Sequence, residues 1–288
     1  MSTTTGGGGR IAFQGELGAN SHEACMAAFP GMEPVPHPTF EEAFEAVKTG
    51  DCELGMIPVE NSIAGRVADV HHLLPSSGLK IIGERFKPIH FQLMANPGTK
   101  LEDLKTVVSM PFAWGQCRRM LRGLGVTMEA AGDTAASARI VSEQPDPTRG
   151  AVAPALAAEI YGLEILARDV EDEHNNTTRF LIMTADASPE PPPFTEPCVT
   201  SFIFRVRNMP AALYKALGGF ATNGVNMTKL ESYMENGAFT ATFFYSEVDG
   251  RPEDRGLALA FEELAFFSER FEILGVYPAD PFRSRMSA

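Results

Sequence analysis

The stretch "RIAFQGELGANSHEACMAAFPG", residues 10–31, places a strand, a loop and a helix in direct succession. Its apolar start is typical of a buried strand that ends at Gly15, and a helical pattern follows the polar loop. Asn20 stands where a helix N-cap is expected, and Glu23 three residues later would complete a capping box. The stretch therefore predicts one strand–loop–helix unit.

The same alternation continues to residue 184. "TFEEAFEAVKTG", residues 39–50, predicts a helix capped by Thr39 and Glu42, and further helices are expected at residues 111–125 and behind Asp133. Strands that alternate with helices predict an α/β domain with parallel sheets, in which ligands bind beyond the carboxyl ends of strands. Because the units fall into two successive sets, we predict two lobes within residues 10–184, the second covering about residues 88–168.

A proline-rich segment, "ADASPEPPPFTEP" at residues 185–197, cannot continue a strand or a helix and predicts an interdomain linker. After it, strands and helices are expected in the order βαββαβ over residues 198–280, with a hairpin around residues 235–237. That order is the ferredoxin-like plan. Such a domain exposes sheet edges and helix flanks, so we expect a homodimer or homotetramer.

Composition excludes several classes of protein. The 288 residues carry a formal net charge of −13 without a basic cluster, which argues against nucleic acid as a partner. No stretch approaches the roughly 20 apolar residues of a membrane span, and the start lacks the pattern of a secretory signal, so we expect a cytoplasmic protein. The four cysteines form no CxxC pair and are expected to be buried and reduced: Cys25, Cys52, Cys117 and Cys198.

Polar clusters stand at the ends of predicted strands. They read "GELGANSH" after the first strand, "ENS" after "LGMIPV", "SMPFAWGQC" in the second lobe and "HNNTTRFLIM" at residues 174–183. Each could be a solvated loop, or the clusters could together line an anion site. Because the net charge is negative, an anion would have to be held by local donors such as an arginine, amides, hydroxyls and backbone N–H groups.

Four of these segments carry a resemblance to a known family. Residues 10–180 resemble the prephenate dehydratase catalytic domain in four segments: "GELGANSHEA", "PVENSIAGRVADVHHLL", "SMPFAWGQC" and "NNTTRF". Residues 198–279 resemble an ACT regulatory domain. The resemblance implies a two-lobed, periplasmic-binding-protein-like fold and a cytoplasmic lyase of phenylalanine biosynthesis. It would convert prephenate to phenylpyruvate, carbon dioxide and water without a metal or another cofactor.

The Thr-Arg-Phe segment is expected to carry the chemistry. The resemblance implies that the Thr178 hydroxyl hydrogen-bonds the departing oxygen and helps to protonate it, although a β-branched residue at a strand start is common for structural reasons alone. Arg179 could clamp a carboxylate or order the loop. Phe180 could form a wall of the ring slot or pack in the core.

Other segments supply expected hydrogen-bond donors. Asn61 and Ser62 could bind carboxylate oxygens together with the N-terminus of the following helix, and Ser62 could instead only cap that helix. Glu60 is expected to orient its neighbours or to assist protonation. Further cleft residues implied by the resemblance are Ser109 and Gln116, and a first-loop group formed by Asn20, Ser21 and His22, for which capping or core roles remain open.

The sequence departs from the family pattern at several positions. Glu16 replaces a proline of the first loop, Asn20 stands where an aromatic residue is common, and Met110 replaces the histidine before Pro111. The missing histidine supports assigning proton donation elsewhere.

The resemblance also implies a site for L-phenylalanine between a Gly-Ala-Leu turn and a Glu-Ser-Arg-Pro strand at a subunit interface. Here these segments read Ala-Ala-Leu at residues 211–213 and Glu-Ser-Tyr-Met at residues 231–234, and the lost arginine removes five donors and a charge. We still predict L-phenylalanine as an effector, with a purely oligomerising domain as the alternative. The expected ligands are Asn208, Ala211, Ala212, Leu213, Asn226, Leu230, Glu231 and Ser232.

Two other functions stay open at this level. Arogenate carries an amino group in place of the pyruvyl ketone of prephenate and could be the substrate. A two-lobed α/β chain could also be a small-molecule binding protein or an inactive amino-acid sensor.

Overall fold

The computed structural model describes residues 8–173, 175–190, 196–207, 209–234 and 243–286. The chain divides into two compact units, one formed by residues up to 70 together with 85–180 and the other by residues 71–84 together with those from 181 onward. The domain boundaries expected from the sequence, 10–184 and 198–280 with a linker at 185–197, remain predictions, and residues 191–195 of the linker lie outside the described residues.

The strands, in chain order, are β1 (Arg10–Gln14), β2 (Glu33–His37), β3 (Leu54–Asn61), β4 (Gly65–Arg66), β5 (Lys80–Pro88), β6 (Gln92–Ala95), β7 (Thr106–Ser109), β8 (Thr127–Ala130), β9 (Arg149–Ala153), β10 (Glu164–Ala167), β11 (Thr177–Thr184), β12 (Cys198–Val206), β13 (Met227–Tyr233), β14 (Phe243–Asp249) and β15 (Ser268–Pro278). The helices are α1 (Asn20–Ala28), α2 (Phe40–Lys48), α3 (Ala68–Leu73), α4 (Pro111–Gln116), α5 (Arg118–Leu124), α6 (Thr134–Glu143), α7 (Ala155–Tyr161), α8 (Ala212–Thr222), α9 (Arg255–Phe267) and α10 (Phe282–Met286).

The first sheet has the order β2-β1-β3-β11-β5, and β4 pairs with β3. β1 is parallel to both β2 and β3. The sequence did not predict β2, because Pro34 and Pro36 each lack the N–H that a ladder needs. The strand is accommodated because it lies at the edge of the sheet, where one side of its backbone needs no strand partner.

The second sheet has the order β10-β6-β9-β7-β8. β7 is parallel to β8 and β9, but β6 runs antiparallel to β9 and β10, so the expectation of parallel sheets was wrong in this part. The two sheets nevertheless confirm the two-lobed α/β plan.

Helix caps decide where the helices begin. Thr39 Oγ1 accepts from the Glu42 N–H at 3.2 Å, and Asp133 Oδ1 accepts from the Ala136 N–H at 2.7 Å, so both predicted caps are confirmed. The predicted Asn20 cap is wrong, because α1 is preceded by Ala19 without a side-chain cap. The single helix expected over residues 111–125 is divided at Cys117, whose backbone leaves the helical region between α4 and α5.

The six elements from β12 to β15 follow the order βαββαβ, and their antiparallel sheet has the order β13-β14-β12-β15. The ferredoxin-like plan is therefore confirmed, while the hairpin turn expected at residues 235–237 lies outside the described residues. The core of this βαββαβ fold contains Phe202, which packs edge-on against Phe261 at a centroid distance of 5.1 Å. The second helix of this plan, predicted from its apolar pattern over residues 256–271, ends at Phe267, because Phe271 turns into this core as part of β15.

The four cysteines are free and buried, as predicted. Burial raises the pKa of the Cys25 thiol to about 12, so this side chain stays protonated at neutral pH. Within the part of the chain that the structure describes, the helices are too short or too polar to cross a bilayer.

Candidate active site

The Asn61 amide and the Thr178 hydroxyl meet where the end of β3 lies beside the start of β11. Asn61 Nδ2 donates to Thr178 Oγ1 at 2.9 Å, although 117 residues separate them in the chain. The backbone N–H of Ser62 donates to the carbonyl of Thr177 at 2.9 Å, which holds the two chain segments together. Two residues that the sequence analysis chose separately are thus in direct contact.

A buried amide chain extends this contact to helix α4, which follows strand β7 of the second sheet. Asn61 Nδ2 also donates to Asn176 Oδ1 at 2.7 Å, and Asn176 Nδ2 donates to Gln116 Oε1 at 2.8 Å. Gln116 is the last residue of α4. It is linked to the Asn61–Thr178 pair through Asn176, and not by a direct hydrogen bond to Thr178. Gln116 Nε2 is buried and has no acceptor among the described residues.

Asn176, which the sequence analysis did not select, bonds to two of the predicted site residues. The available signal was strand alternation, since residues two apart point to the same face of an extended chain. Asn176 and Thr178 stand in that relation, whereas Thr177 lies between them on the other face.

Arg179 and Glu60 form a pair beside this cluster. Arg179 Nη1 donates to Glu60 Oε1 at 3.0 Å, and the guanidinium lies 5.7 Å from the ring centroid of Phe86. Arg179 is almost fully buried while Glu60 is partly exposed. Phe180 is buried among the largest core side chains. These positions fit an ordering role for Arg179 and a packing role for Phe180.

Ser62 joins the two polar segments and does not cap a helix. Its hydroxyl donates to the Asn175 carbonyl at 2.8 Å and accepts from the Thr177 N–H at 2.9 Å. The expected helix does not begin at Ser62, because α3 starts only at Ala68 and residues 61 and 65 pair in the β3–β4 ladder. The expected helix N-terminus for an anion is therefore absent at this point of the described chain.

The remaining predicted cleft residues do not contact the Thr178 cluster within the described residues. Ser109 is fully buried and its hydroxyl donates to the Met110 carbonyl at 3.1 Å. Asn20 Oδ1 accepts from Lys87 Nζ at 3.2 Å, and Ser21 is buried in α1.

His22 has a structural environment. Its Nδ1 accepts from the Gly18 N–H at 2.9 Å, and its ring stacks on Phe13 at 5.6 Å. Burial lowers the pKa of His22, so the neutral ring is the stable form.

The predicted effector residues lie in the second compact unit. Ala211 precedes α8 with a φ of +59°, a left-handed conformation that favours the glycine expected there from the resemblance. Ala212 is buried, Leu213 packs against the core of this unit, and Asn226 Nδ2 donates to Asp249 Oδ2 at 2.7 Å. Leu230 is exposed, Ser232 lies beside it in β13, and Asn208 lies outside the described residues.

Glu231 is tied to two cationic or polar partners. Its carboxylate lies 2.8 Å from His71 Nδ1 and 3.0 Å from Lys229 Nζ, and the Tyr233 hydroxyl also lies 2.8 Å from His71 Nδ1. Burial favours a higher pKa for Glu231, but the hydrogen bond from His71 and the charge of Lys229 outweigh it and hold the pKa at about 2. Tyr233 stands where the resemblance to an ACT domain led us to expect arginine, so an aromatic hydroxyl takes the place of the expected cation.

One group of side chains has the composition of a metal site: His90, Asp169 and Glu171. Glu171 Oε1 lies 2.8 Å from His90 Nδ1, and Glu171 Oε2 accepts from the Phe91 N–H at 2.9 Å. These two contacts account for the buried carboxylate without an ion, and the other two side chains are exposed.

The fold and the site define a two-lobed α/β enzyme whose polar centre is built from amides and a hydroxyl. The prephenate dehydratase family model matches residues 11–188. The chain belongs to the prephenate dehydratase family, whose members are dehydratases of aromatic amino-acid biosynthesis.

Relatives match the chain over most of its length. It is 50% identical over 275 residues to the bifunctional N-acyl-homoserine lactone acylase/prephenate dehydratase of Komagataeibacter europaeus, covering 96% of this chain and 98% of that protein. It is 37% identical to arogenate dehydratase 2 of Petunia hybrida, covering 94% and 72%. A solved prephenate dehydratase from Arthrobacter aurescens, in complex with L-Phe, superposes with a TM-score of 0.84 at 29% identity, covering 96% and 97%.

Proposed function

We propose that this protein is a prephenate dehydratase that converts prephenate to phenylpyruvate, carbon dioxide and water. The observation that carries the proposal is the 2.9 Å hydrogen bond from Asn61 Nδ2 to Thr178 Oγ1. Because the Thr178 oxygen accepts from Asn61, the hydroxyl proton is free to point elsewhere. The hydroxyl is therefore prepared to donate to a substrate oxygen.

The chemistry requires little more than this. The ring carboxylate of prephenate leaves as carbon dioxide, its bonding electrons enter the ring, and the C–O bond across the ring breaks as the oxygen takes up a proton. Thr178 hydrogen-bonds that oxygen and supplies the proton, which is replaced from solution. Since aromatisation drives the reaction, positioned donors in a site shielded from water supply the rest.

Binding of an anion must be local in a chain with a net charge of −13. The buried Gln116 Nε2 offers a donor, and the Arg179 guanidinium, which is paired with Glu60, orders the strand next to Thr178. We assign Gln116 to direct contact with a substrate carboxylate. Glu60, Asn61 and Ser62 orient the groups around it, and the roles of Ser109, Asn20, Ser21 and His22 are confined to the frame of the cleft.

The test is turnover of purified protein with prephenate and with arogenate in parallel. We expect phenylpyruvate from prephenate with the larger kcat/KM. A larger kcat/KM for arogenate, read as phenylalanine formation, would instead make the protein an arogenate dehydratase like its Petunia relative. Absence of turnover with both would leave a binding protein or an amino-acid sensor.

A second catalytic function is favoured by one observation, the 50% identity to a protein described as both an N-acyl-homoserine lactone acylase and a prephenate dehydratase. The candidate reaction is hydrolysis of the acyl amide to a fatty acid and homoserine lactone. Incubation with an N-acyl-homoserine lactone and quantification of free homoserine lactone tests it. Thr178→Ala separates the two reactions, because the dehydratase step depends on that hydroxyl.

We also propose that residues 198–280 form an ACT regulatory domain within a cytoplasmic homodimer or homotetramer. The βαββαβ order supports this, as does the L-Phe complex of the Arthrobacter relative. Titration of the full-length protein with L-phenylalanine by calorimetry is expected to give heat, and the same ligand is expected to change the dehydratase rate.

The variant Glu231→Gln is expected to weaken L-phenylalanine binding by about tenfold, because it removes a carboxylate that can accept from the ligand's ammonium group. Glu272→Gln, which changes a half-exposed carboxylate of β15, is the matched control. If neither heat nor a change in rate appears at millimolar ligand, the domain only oligomerises.

A further inference from the structure

Asn176 occupies the centre of the amide chain and is 1% exposed. It accepts from Asn61 and donates to Gln116, so it contacts two residues of the proposed active site. We propose that Asn176 is a positioning residue that sets the orientation of the Gln116 amide, so that Nε2 rather than Oε1 faces the substrate. The proposal rests on the proposed dehydratase function, since it gives Gln116 an anionic ligand.

The orientation originates at the backbone after β3. The N–H groups of Ile63 and Ala64 donate to Asn61 Oδ1 at 3.0 and 2.9 Å. Backbone N–H groups can only donate, so the acceptor end of the Asn61 amide must face them. Asn61 Nδ2 is consequently turned toward Asn176 and Thr178.

The same rule passes the orientation along the chain. Because Asn61 offers a donor, Asn176 must present Oδ1 to it and Nδ2 to the other side. Gln116 must then present Oε1 to Asn176, which leaves its Nε2 as the terminal group. That nitrogen is buried with no acceptor among the described residues, and a substrate carboxylate would satisfy it.

The variant Asn176→Asp tests this polarity. An ionised carboxyl can only accept, so Gln116 would turn its Nε2 toward it and present Oε1 to the anionic substrate. A protonated carboxyl has one acceptor and one donor and reproduces the asparagine pattern. We expect kcat/KM for prephenate to fall about tenfold or more relative to the parent near about pH 8, largely through KM, as for loss of a charge-assisted hydrogen bond. The ratio of kcat/KM of the variant to kcat/KM of the parent should rise again as the pH is lowered, because burial favours the neutral carboxyl.

Dividing kcat/KM of Asn176→Asp by kcat/KM of the parent at each pH leaves only the effect of the introduced carboxyl. The segments that hydrogen-bond to Asn176 carry further ionisable groups, and both proteins have them in common: Glu60, Arg85, Lys87, His90, Arg118 and Arg119, together with Glu171, Asp172, Glu173 and Arg179 of its own segment. Conversion of prephenate without enzyme is subtracted at each pH. Asn175→Asp introduces the same charge one residue earlier, on an exposed side chain, and is expected to follow the parent at every pH.

A readout without substrate separates this inference from the proposed function. In the ligand-free protein, the side-chain amide resonance of Gln116, assigned by its loss in Gln116→Glu, should shift with pH in Asn176→Asp and stay constant in Asn175→Asp. If the parent lacks dehydratase activity while the resonance titrates, the function is wrong and the positioning role stands. A resonance that does not move, or a variant whose kcat/KM equals that of the parent near about pH 8, overturns the positioning role.

Should Asn176→Asp unfold at neutral pH, Asn176→Leu removes both hydrogen bonds without adding a charge. We expect Asn176→Leu to lose activity and not to regain it at low pH. If both Asn176→Leu and Asn176→Asp regained activity at low pH, the pH effect would come from the stability of the fold, and the proposal would be overturned.

Discussion

Replacement of Thr178 by alanine is expected to lower kcat for prephenate by about 100-fold or more, which is about 2.7 kcal/mol of transition-state stabilisation. The side chain accepts from Asn61 Nδ2 at 2.9 Å, and we propose that its hydroxyl proton is donated to the leaving oxygen. Binding should change less than turnover, since the leaving oxygen gains its hydrogen bond mainly as it develops charge. The measurement is phenylpyruvate formation under steady-state conditions.

Two further variants make the result specific. Thr178→Ser keeps the hydroxyl but loses the methyl group that restricts it, so it should retain more activity than Thr178→Ala. Thr177→Ala makes the same change one residue earlier, where the main-chain N–H bonds to Ser62 and the side chain lies on the opposite face. If Thr178→Ala turns over like Thr177→Ala, proton donation belongs to another group.

Local signals were sufficient for much of the fold. Thr39 and Asp133 cap their helices as predicted, because a cap depends on residues only three positions away. Strand β2 and the division at Cys117 were not predicted, because their causes are an edge position in the sheet and a change in backbone direction that propensity does not encode. The antiparallel direction of β6 was missed because it depends on pairing with β9 and β10, which lie far along the chain.

The active-site prediction had a similar limit. The motifs selected Asn61, Gln116 and Thr178 individually, but the link through Asn176 joins residues 115 and 60 positions apart. Strand alternation from Thr178 favours Asn176 over Asn175, but only the folded chain shows that Asn176 bonds to both Asn61 and Gln116.

A salt-bridge cluster that the sequence did not indicate leads to the largest expected change in stability. Glu84 and Glu247 are each 1% exposed, and Arg283 of the C-terminal helix α10 lies between them. Arg283 Nε donates to Glu84 Oε1 at 2.6 Å, and Nη2 donates to Glu84 Oε2 at 2.9 Å and to Glu247 Oε2 at 3.0 Å. The guanidinium thus serves two carboxylates that the fold has removed from water.

Arg283→Met is therefore expected to lower the free energy of unfolding by about 3–5 kcal/mol, the range for removal of one partner from a buried ion pair. Urea denaturation at neutral pH measures the change. Arg270→Met is the matched control, because the Arg270–Glu272 pair is 45% and 39% exposed and should contribute about 0–1 kcal/mol.

The loss for Arg283→Lys should fall between the two, since an ammonium group keeps the charge but cannot reproduce the fork that reaches both carboxylates. The double variant Arg283→Met, Glu84→Gln should recover part of the loss, because it removes one of the buried charges that the guanidinium neutralised. Equal losses for Arg283→Met and Arg270→Met would mean that solvent reaches the two glutamates once the helix is altered, and that their burial depends on α10 itself.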